Sequence, residues 1–268
     1  MTAQDGMTAQ DELSAAETLP DHVVRLYRDQ GFVHVPNVLS EDEVTAFRAA
    51  SEELLRKETP TIWGASEDVA QVHYVEEAWL KSGTLRGLAL HPRLIGLARR
   101  LAGGPLRLYS SDVLVKKPRE ALPTMIHDDE AGLPLANLSR TLTAWVALVD
   151  VPVERGCLTY VPGSHLRPDA DRQIHMESFD DYRPMEDVWP GFPWQPRVSV
   201  PLRAGDVAFH HFRTVHMAGP NTTDVPRMAH GVIYADEEAT YRPGVQDQYL
   251  THFQPGQRLE GEKFPPVG

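Results

Sequence analysis

The sequence predicts one domain with an all-β core and added helices on its N-terminal side. Three observations lead there. From Leu106 onward, short segments of alternating apolar and polar residues follow one another, separated by Gly, Pro and Asp, which is how a β-barrel is written. Before Leu106, three segments carry helix start and stop signals instead. The 268 residues contain no internal repeat of the about 20–50 residue period that marks arrays, and nothing marks a second domain.

The elements follow in order. Met1-Thr2-Ala3-Gln4-Asp5 recurs as Met7-Thr8-Ala9-Gln10-Asp11, and residues 1–20 are expected to form a flexible tail. Residues 21–268 make the folded unit. Asp21 to Gln30 reads as a short helix closed by Gly31. Phe32-Val33-His34-Val35 reads as a strand. Ser40 with Glu43 makes a capping-box pattern that opens a helix running to about Lys57. His91-Pro92 starts another helix, with Pro at an early position, that ends near Gly103-Gly104. The barrel strands come after it.

Composition narrows the function classes. The chain is 41% hydrophobic with 8% aromatics, enough for a real core. Its net charge of −12 and pI of about 5.4 disfavour nucleic acid and anionic membrane surfaces, which need a basic footprint. No apolar run reaches the roughly 18 residues that span a bilayer. The first residues, Met1 to Leu19, contain no apolar signal-peptide core. A single cysteine, Cys157, excludes an internal disulfide; it reads as a small buried hydrophobe. The expectation is a cytoplasmic enzyme, monomer or homodimer, acting on a small molecule.

The chemistry sits in His127-Asp128-Asp129 together with His216 and Arg227. In extended chain, residues i and i+2 point to one side. His127 and Asp129 therefore converge, and Asp128 faces away. Asp206 to Phe212 reads as a strand, with His216 just beyond it. A loop signal follows at Gly219-Pro220-Asn221-Thr222-Thr223. If the chain reverses about Asn221 and Thr222, His216 and Arg227 face one another across a hairpin and share a face. Two His and one carboxylate on one side, with open positions opposite, form the ligand set of a non-haem Fe(II) site. An Arg fork beside it suits a carboxylate. Three rivals stand beside this reading: a zinc hydrolase, which has no need of Arg227; a metal-free β-sandwich binding module, which has no need of the triad; and a metal-binding β-helix protein without activity.

Further motifs carry a resemblance. Glu154-Arg155-Gly156-Cys157-Leu158-Thr159-Tyr160-Val161-Pro162-Gly163-Ser164-His165 resembles a G-C-L-x-x-x-P-G-S-H segment of the phytanoyl-CoA dioxygenase-like family. Thr143 to Leu148 resembles that family's preceding strand, Gly205-Asp206-Val207 its turn, and His216, Pro220-Asn221 and Arg227 its closing motif. The match runs in order over about residues 21–235. It implies a double-stranded β-helix (a jelly roll, cupin-like), with Fe(II), 2-oxoglutarate and O2. It implies that His127, Asp129 and His216 bind the iron and that Arg227 holds the distal carboxylate of 2-oxoglutarate. The implied reaction is oxidation of an unactivated C–H, giving hydroxylation or, alternatively, stereo-inversion, ring closure or desaturation. The Asp at the carboxylate position argues against halogenation. Related actinomycete antibiotic-tailoring enzymes show such outcomes, and a natural-product setting suits the Arg-rich composition.

The chain departs from many relatives at Ile126 and Asp128, where an aromatic and Gln are common, and at Ala218, where a small hydroxyl residue is common. The missing co-substrate hydrogen bond is then expected from Thr143 or a water, with Trp145 in the same pocket. Residues 165–197 exceed the usual loop length of about 12–15. They are rich in aromatics, including Trp189 and Phe192, and read as a lid over a ring-containing substrate. Asp128, Trp189 and Phe192 are the candidate substrate contacts.

Overall fold

The fold begins with local signals. In this computed structural model, residues 19–64, 70–120, 122–168, 196–243, 250 and 252–268 are described. Helix α1 spans Asp21–Gln30 and ends on Gly31, whose φ of 85° is the left-handed conformation that a side chain resists. Strand β1 is Phe32–Val35. Helix α2 is Glu41–Lys57; Ser40 Oγ accepts from the Glu43 N–H, and the Glu43 carboxylate accepts from the Ser40 N–H at 2.7 Å. Helix α5, Pro92–Ala102, begins on its proline and ends on Gly103. These elements match the sequence reading.

Others were not foreseen. Strands β2 (Thr61–Gly64) and β3 (Ala70–Val75) form a hairpin-like pair, followed by α3 (Ala78–Lys81) and α4 (Gly83–Ala89). Ser82 caps α4, but the two short helices lack the length for a clear 3.6-residue period.

The remaining strands are β4 (Leu106–Lys116), β5 (Thr124–His127), β6 (Leu135–Ala136), β7 (Leu142–Ala147), β8 (Leu158–Tyr160), β9 (Val198–Val200), β10 (Val207–His211), β11 (His216–Ala218), β12 (Arg227–Asp236), β13 (Thr240–Tyr241) and β14 (Pro266–Val267). The larger sheet runs β1-β10-β7-β12-β4-β3-β2, with β14 also on β4; the smaller runs β5-β11-β8-β9. Pairing is antiparallel throughout these sheets. The chain is thus mostly β with helical additions, as read.

Two cores divide the space. On the outer face of the larger sheet, Leu142, Ala144 and Val146 of β7 and Val207 and Phe209 of β10 pack with Tyr27, Phe47, Leu88 and Leu94 of the helices. A fully buried side chain of this size contributes about 1.5–3 kcal/mol. Between the sheets, Trp145, Ala147, Leu158, Tyr160, Ala208 and Ala218 form a second core. The smaller sheet and this inner core enclose the cavity described below.

The expected hairpin between His216 and Arg227 is corrected here. Strand β11 pairs with β5 and β8, whereas β12 pairs with β4 and β7. The Gly219–Thr223 segment carries the chain from one sheet to the other. His216 stands opposite His127 and Tyr160, and Arg227 opposite Lys116. The two residues still share a cavity, because both sheets turn those faces inward.

Most of the expected N-terminal tail (residues 1–18) and most of the expected lid (169–195, including Trp189 and Phe192) lie outside the described residues. Among the described residues, no helix is long and apolar enough to cross a membrane.

Candidate active site

Strand β5 ends on His127. Asp128 continues the extended path, with φ −119° and ψ 159°, before a 3-10 turn begins at Asp129. That extended residue is why His127 and Asp129 reach the same side. His216 enters from β11, directly across from His127. One ligand atom from each of His127, Asp129 and His216 lies within 4.8 Å of the others.

Each imidazole is oriented by its own backbone. His127 Nδ1 lies 2.8 Å from the Met125 carbonyl, and His216 Nδ1 lies 2.9 Å from the Thr214 carbonyl. With Nδ1–H donating, each Nε2 keeps its lone pair for a metal. Trp63, which the sequence reading did not single out, stands edge-on to His127 with ring centroids 4.8 Å apart.

Electrostatics set the protonation states. Burial pushes both histidines below the ordinary imidazole range, and for His216 the neighbouring His127 adds to the effect. Burial opposes ionisation of Asp129, but the hydrogen bond from His210 and the surrounding imidazoles win and hold the carboxylate below its usual range. Two neutral imidazoles and one carboxylate are the forms that bind a divalent cation.

Around Asp129, Thr143 Oγ1 donates to Oδ2, and His210 Nε2 lies 3.1 Å from the same oxygen. Oδ1 lies 3.8 Å from His216 Nε2. Thr143, expected to touch a co-substrate, is thus engaged with a metal-ligand candidate.

Arg227 is 2% exposed. Its Nη1 donates to the Gly156 carbonyl at 3.2 Å, and its guanidinium lies 5.4 Å from the centroid of the Trp145 ring. So Trp145 holds the arginine by a cation–π contact. Gly156 has φ 79°, and a Cβ there would lie 2.6 Å from the Gly219 carbonyl oxygen, so the glycine is needed to bring its own carbonyl to Arg227. Arg227 Nε has no hydrogen-bond partner, and no carboxylate among the described residues forms an ion pair with the guanidinium. Burial lowers its pKa to about 10. A buried cation in this condition is costly unless an anion joins it.

Asp128, expected to contact substrate, is committed elsewhere. Its carboxylate forms an ion pair with Arg167 and accepts the Ala131 N–H at 3.0 Å, and its side chain is 1% exposed. Burial raises its pKa to about 6 despite the arginine. Although it borders the cavity, this side chain anchors the turn that presents Asp129.

The cavity before the triad has a volume of about 270 Å³. The triad, Thr143, Trp145 and Arg227 line one part; Trp63, Tyr74, Tyr109 and Phe264 add ring surface. Glu76, Glu77 and Asp112 also line it, with Lys263 Nζ 2.5 Å from Glu77. Burial raises the Asp112 pKa to about 7.

The chain is similar to known proteins. The family model described as phytanoyl-CoA dioxygenase (PhyH) matches residues 27–229. The peroxisomal phytanoyl-CoA dioxygenase of Rattus norvegicus is 25% identical over 84% of this chain and 72% of its own length. Among solved structures, the non-haem α-ketoglutarate-dependent carbocyclase SnoK from nogalamycin biosynthesis is 65% identical, with TM-score 0.89, covering 94% of this chain and 98% of that one. The epimerase SnoN, solved with Fe3+, α-ketoglutarate and nogalamycin RO, is 42% identical with TM-score 0.80, covering 94% and 99%.

Proposed function

The chain belongs to the phytanoyl-CoA dioxygenase family, and on that premise we propose that it is an Fe(II)- and 2-oxoglutarate-dependent oxygenase of the double-stranded β-helix fold that oxidises an unactivated C–H of a ring-containing natural product. The observation that carries this reading is Arg227, a buried guanidinium that forms no ion pair with a carboxylate among the described residues, feels Glu120 only at longer range and has a free Nε, set in the same cavity as two histidines and a carboxylate. A zinc hydrolase has no use for that unpaired cation.

The residues fit the absent groups. His127, Asp129 and His216 would hold the iron, and Arg227 would bind the far carboxylate of the keto acid through its free donor edge. Bound iron and co-substrate would supply O2 activation coupled to decarboxylation of 2-oxoglutarate to succinate and CO2. The chain's own work is orientation and exclusion of water. Trp145 and Gly156 fix the arginine, and Trp63 shields His127. The aromatic wall suits a ring, and Glu76 and Asp112 beside it suit a basic substituent more than an acidic one.

Identity with the carbocyclase favours ring closure over simple hydroxylation. In ring closure two C–H bonds are lost and one C–C bond forms, O2 and 2-oxoglutarate giving succinate, CO2 and water. Hydroxylation instead adds one oxygen. Epimerisation leaves the substrate's composition unchanged, so the two electrons that balance O2 must come from an added reductant. The test combines purified protein, Fe(II), 2-oxoglutarate and O2 with nogalamycin-type substrates, reading succinate and product mass. Loss of two hydrogens with stoichiometric succinate is expected. Succinate release that does not depend on Fe(II), or hydrolysis with bound zinc, would overturn the proposal.

A further inference from the structure

Asp129 is held from behind by a buried chain of hydrogen bonds that links the two sheets. Tyr160 on β8 and His210 on β10 are 0% and 1% exposed. The Tyr160 hydroxyl lies 3.1 Å from His210 Nδ1, and His210 Nε2 lies 3.1 Å from Asp129 Oδ2. The directions follow from the chemistry. A phenol O–H donating to Nδ1 makes Nδ1 the acceptor, which leaves the hydrogen of a neutral imidazole on Nε2, pointing at the carboxylate. The far end of the chain is fixed as well, since Tyr160 stacks on Phe32 with ring centroids 4.4 Å apart and planes 11° from parallel.

The same carboxylate oxygen takes a second donor. Thr143 stands directly opposite His210 in the β7–β10 ladder, and its hydroxyl donates to Oδ2. Two donors on one oxygen occupy the lone pairs that bidentate binding would need. The other oxygen, Oδ1, is left on the side of His216.

We propose that Tyr160, His210 and Thr143 are positioning residues that make Asp129 bind the metal through Oδ1 alone. One-atom binding keeps an extra coordination position free, and a site that must take a two-point keto acid and O2 cannot spare it. Asp129 lies at the start of a one-turn 3-10 helix, a short element with poor hydrogen-bond geometry, so its side chain needs outside support. The inference rests on the iron reading above.

Fe(II) affinity of the full chain, measured anaerobically by direct titration, provides a test that does not depend on turnover. His210→Phe keeps a ring but loses the donor; it should weaken Fe(II) binding roughly 10–100-fold, the usual effect of losing an outer partner of a metal ligand. His210→Gln can still donate to Oδ2 and should recover most of that loss. The near-isosteric Thr143→Val and Tyr160→Phe carry the test if His210→Phe fails to fold. Thr143→Val should weaken Fe(II) severalfold, and Tyr160→Phe should weaken it less than either change at Oδ2, because it breaks only the outer bond. Thermal midpoints of the metal-free proteins separate positioning from a folding defect: matched midpoints with graded affinity support the chain. Fe(II) affinities equal to the parent in His210→Phe, or in both isosteric variants, would overturn it. So would equal losses in His210→Phe and His210→Gln. If the parent itself binds no Fe(II), the iron reading fails first, and this inference with it.

Discussion

The two faces of the larger sheet are built from the same strands, yet they serve opposite ends. On β7, Leu142, Ala144 and Val146 face the helices, while Thr143, Trp145 and Ala147 face the cavity side. On β12, Met228, Val232 and Tyr234 face outward, and Arg227, Ala229 and Gly231 inward. Both faces are buried. The outer face is closed: its apolar side chains fill one another's gaps, and Tyr234 Oη even donates to the Ala89 carbonyl at 2.8 Å. The inner face is left open at Arg227, whose guanidinium forms no ion pair among the described residues and feels Glu120 only at longer range. Burial by itself therefore says little about function. The informative feature is a buried polar group whose partner is missing.

Substitutions on the two faces should separate function from stability. The largest effect is expected at Asp129. Asp129→Ala removes one of the three ligands proposed for iron and should abolish succinate formation while the fold persists, checked by product assay and circular dichroism. Its neighbour gives the opposite signature. Asp128→Ala removes the nearest carboxylate from the buried Arg167, leaving Glu130 at 3.8 Å, and should cost up to about 3–5 kcal/mol of stability, read as denaturant midpoint. If Asp128→Ala were fully stable, the anchoring role assigned to it would fall.

On the outer side, Leu94 of α5 is 0% exposed. Leu94→Ala should cost about 2–5 kcal/mol of stability and leave Fe(II) affinity unchanged. On the inner side, Arg227→Ala should spare the fold and iron binding but cost about 2–5 kcal/mol of co-substrate binding, seen as a rise of at least about tenfold in the 2-oxoglutarate needed for half-maximal succinate formation. A co-substrate requirement that does not move would assign the unpaired charge to some other anion. The smallest effect belongs to Ser40→Ala, which removes the α2 cap and should cost about 1 kcal/mol with no change at the cavity.

What was legible depended on range. Helices α1, α2 and α5 were readable because Gly31, the Ser40–Glu43 pair and Pro92 act over three or four residues. The His127–Asp129 pair was readable for the same reason, needing only one extended residue between. The short helices α3 and α4 and strands β2 and β3 were missed, since none is long enough to show a period. Strand β7, Leu-Thr-Ala-Trp-Val-Ala, is buried at every position, so it carries no inside–outside pattern to assign faces.

The sequence by itself determined the residue types of the site, the spacing of the first two ligand candidates and the all-β character, because each is written in a few consecutive residues. Only the tertiary structure decided that β11 and β12 belong to different sheets, that Asp128 is committed to Arg167, and that His210 and Tyr160 stand behind Asp129. Those are contacts between residues tens of positions apart in the chain. Their partners are selected by the packing of the two sheets on one another, and local spacing carries no record of that choice.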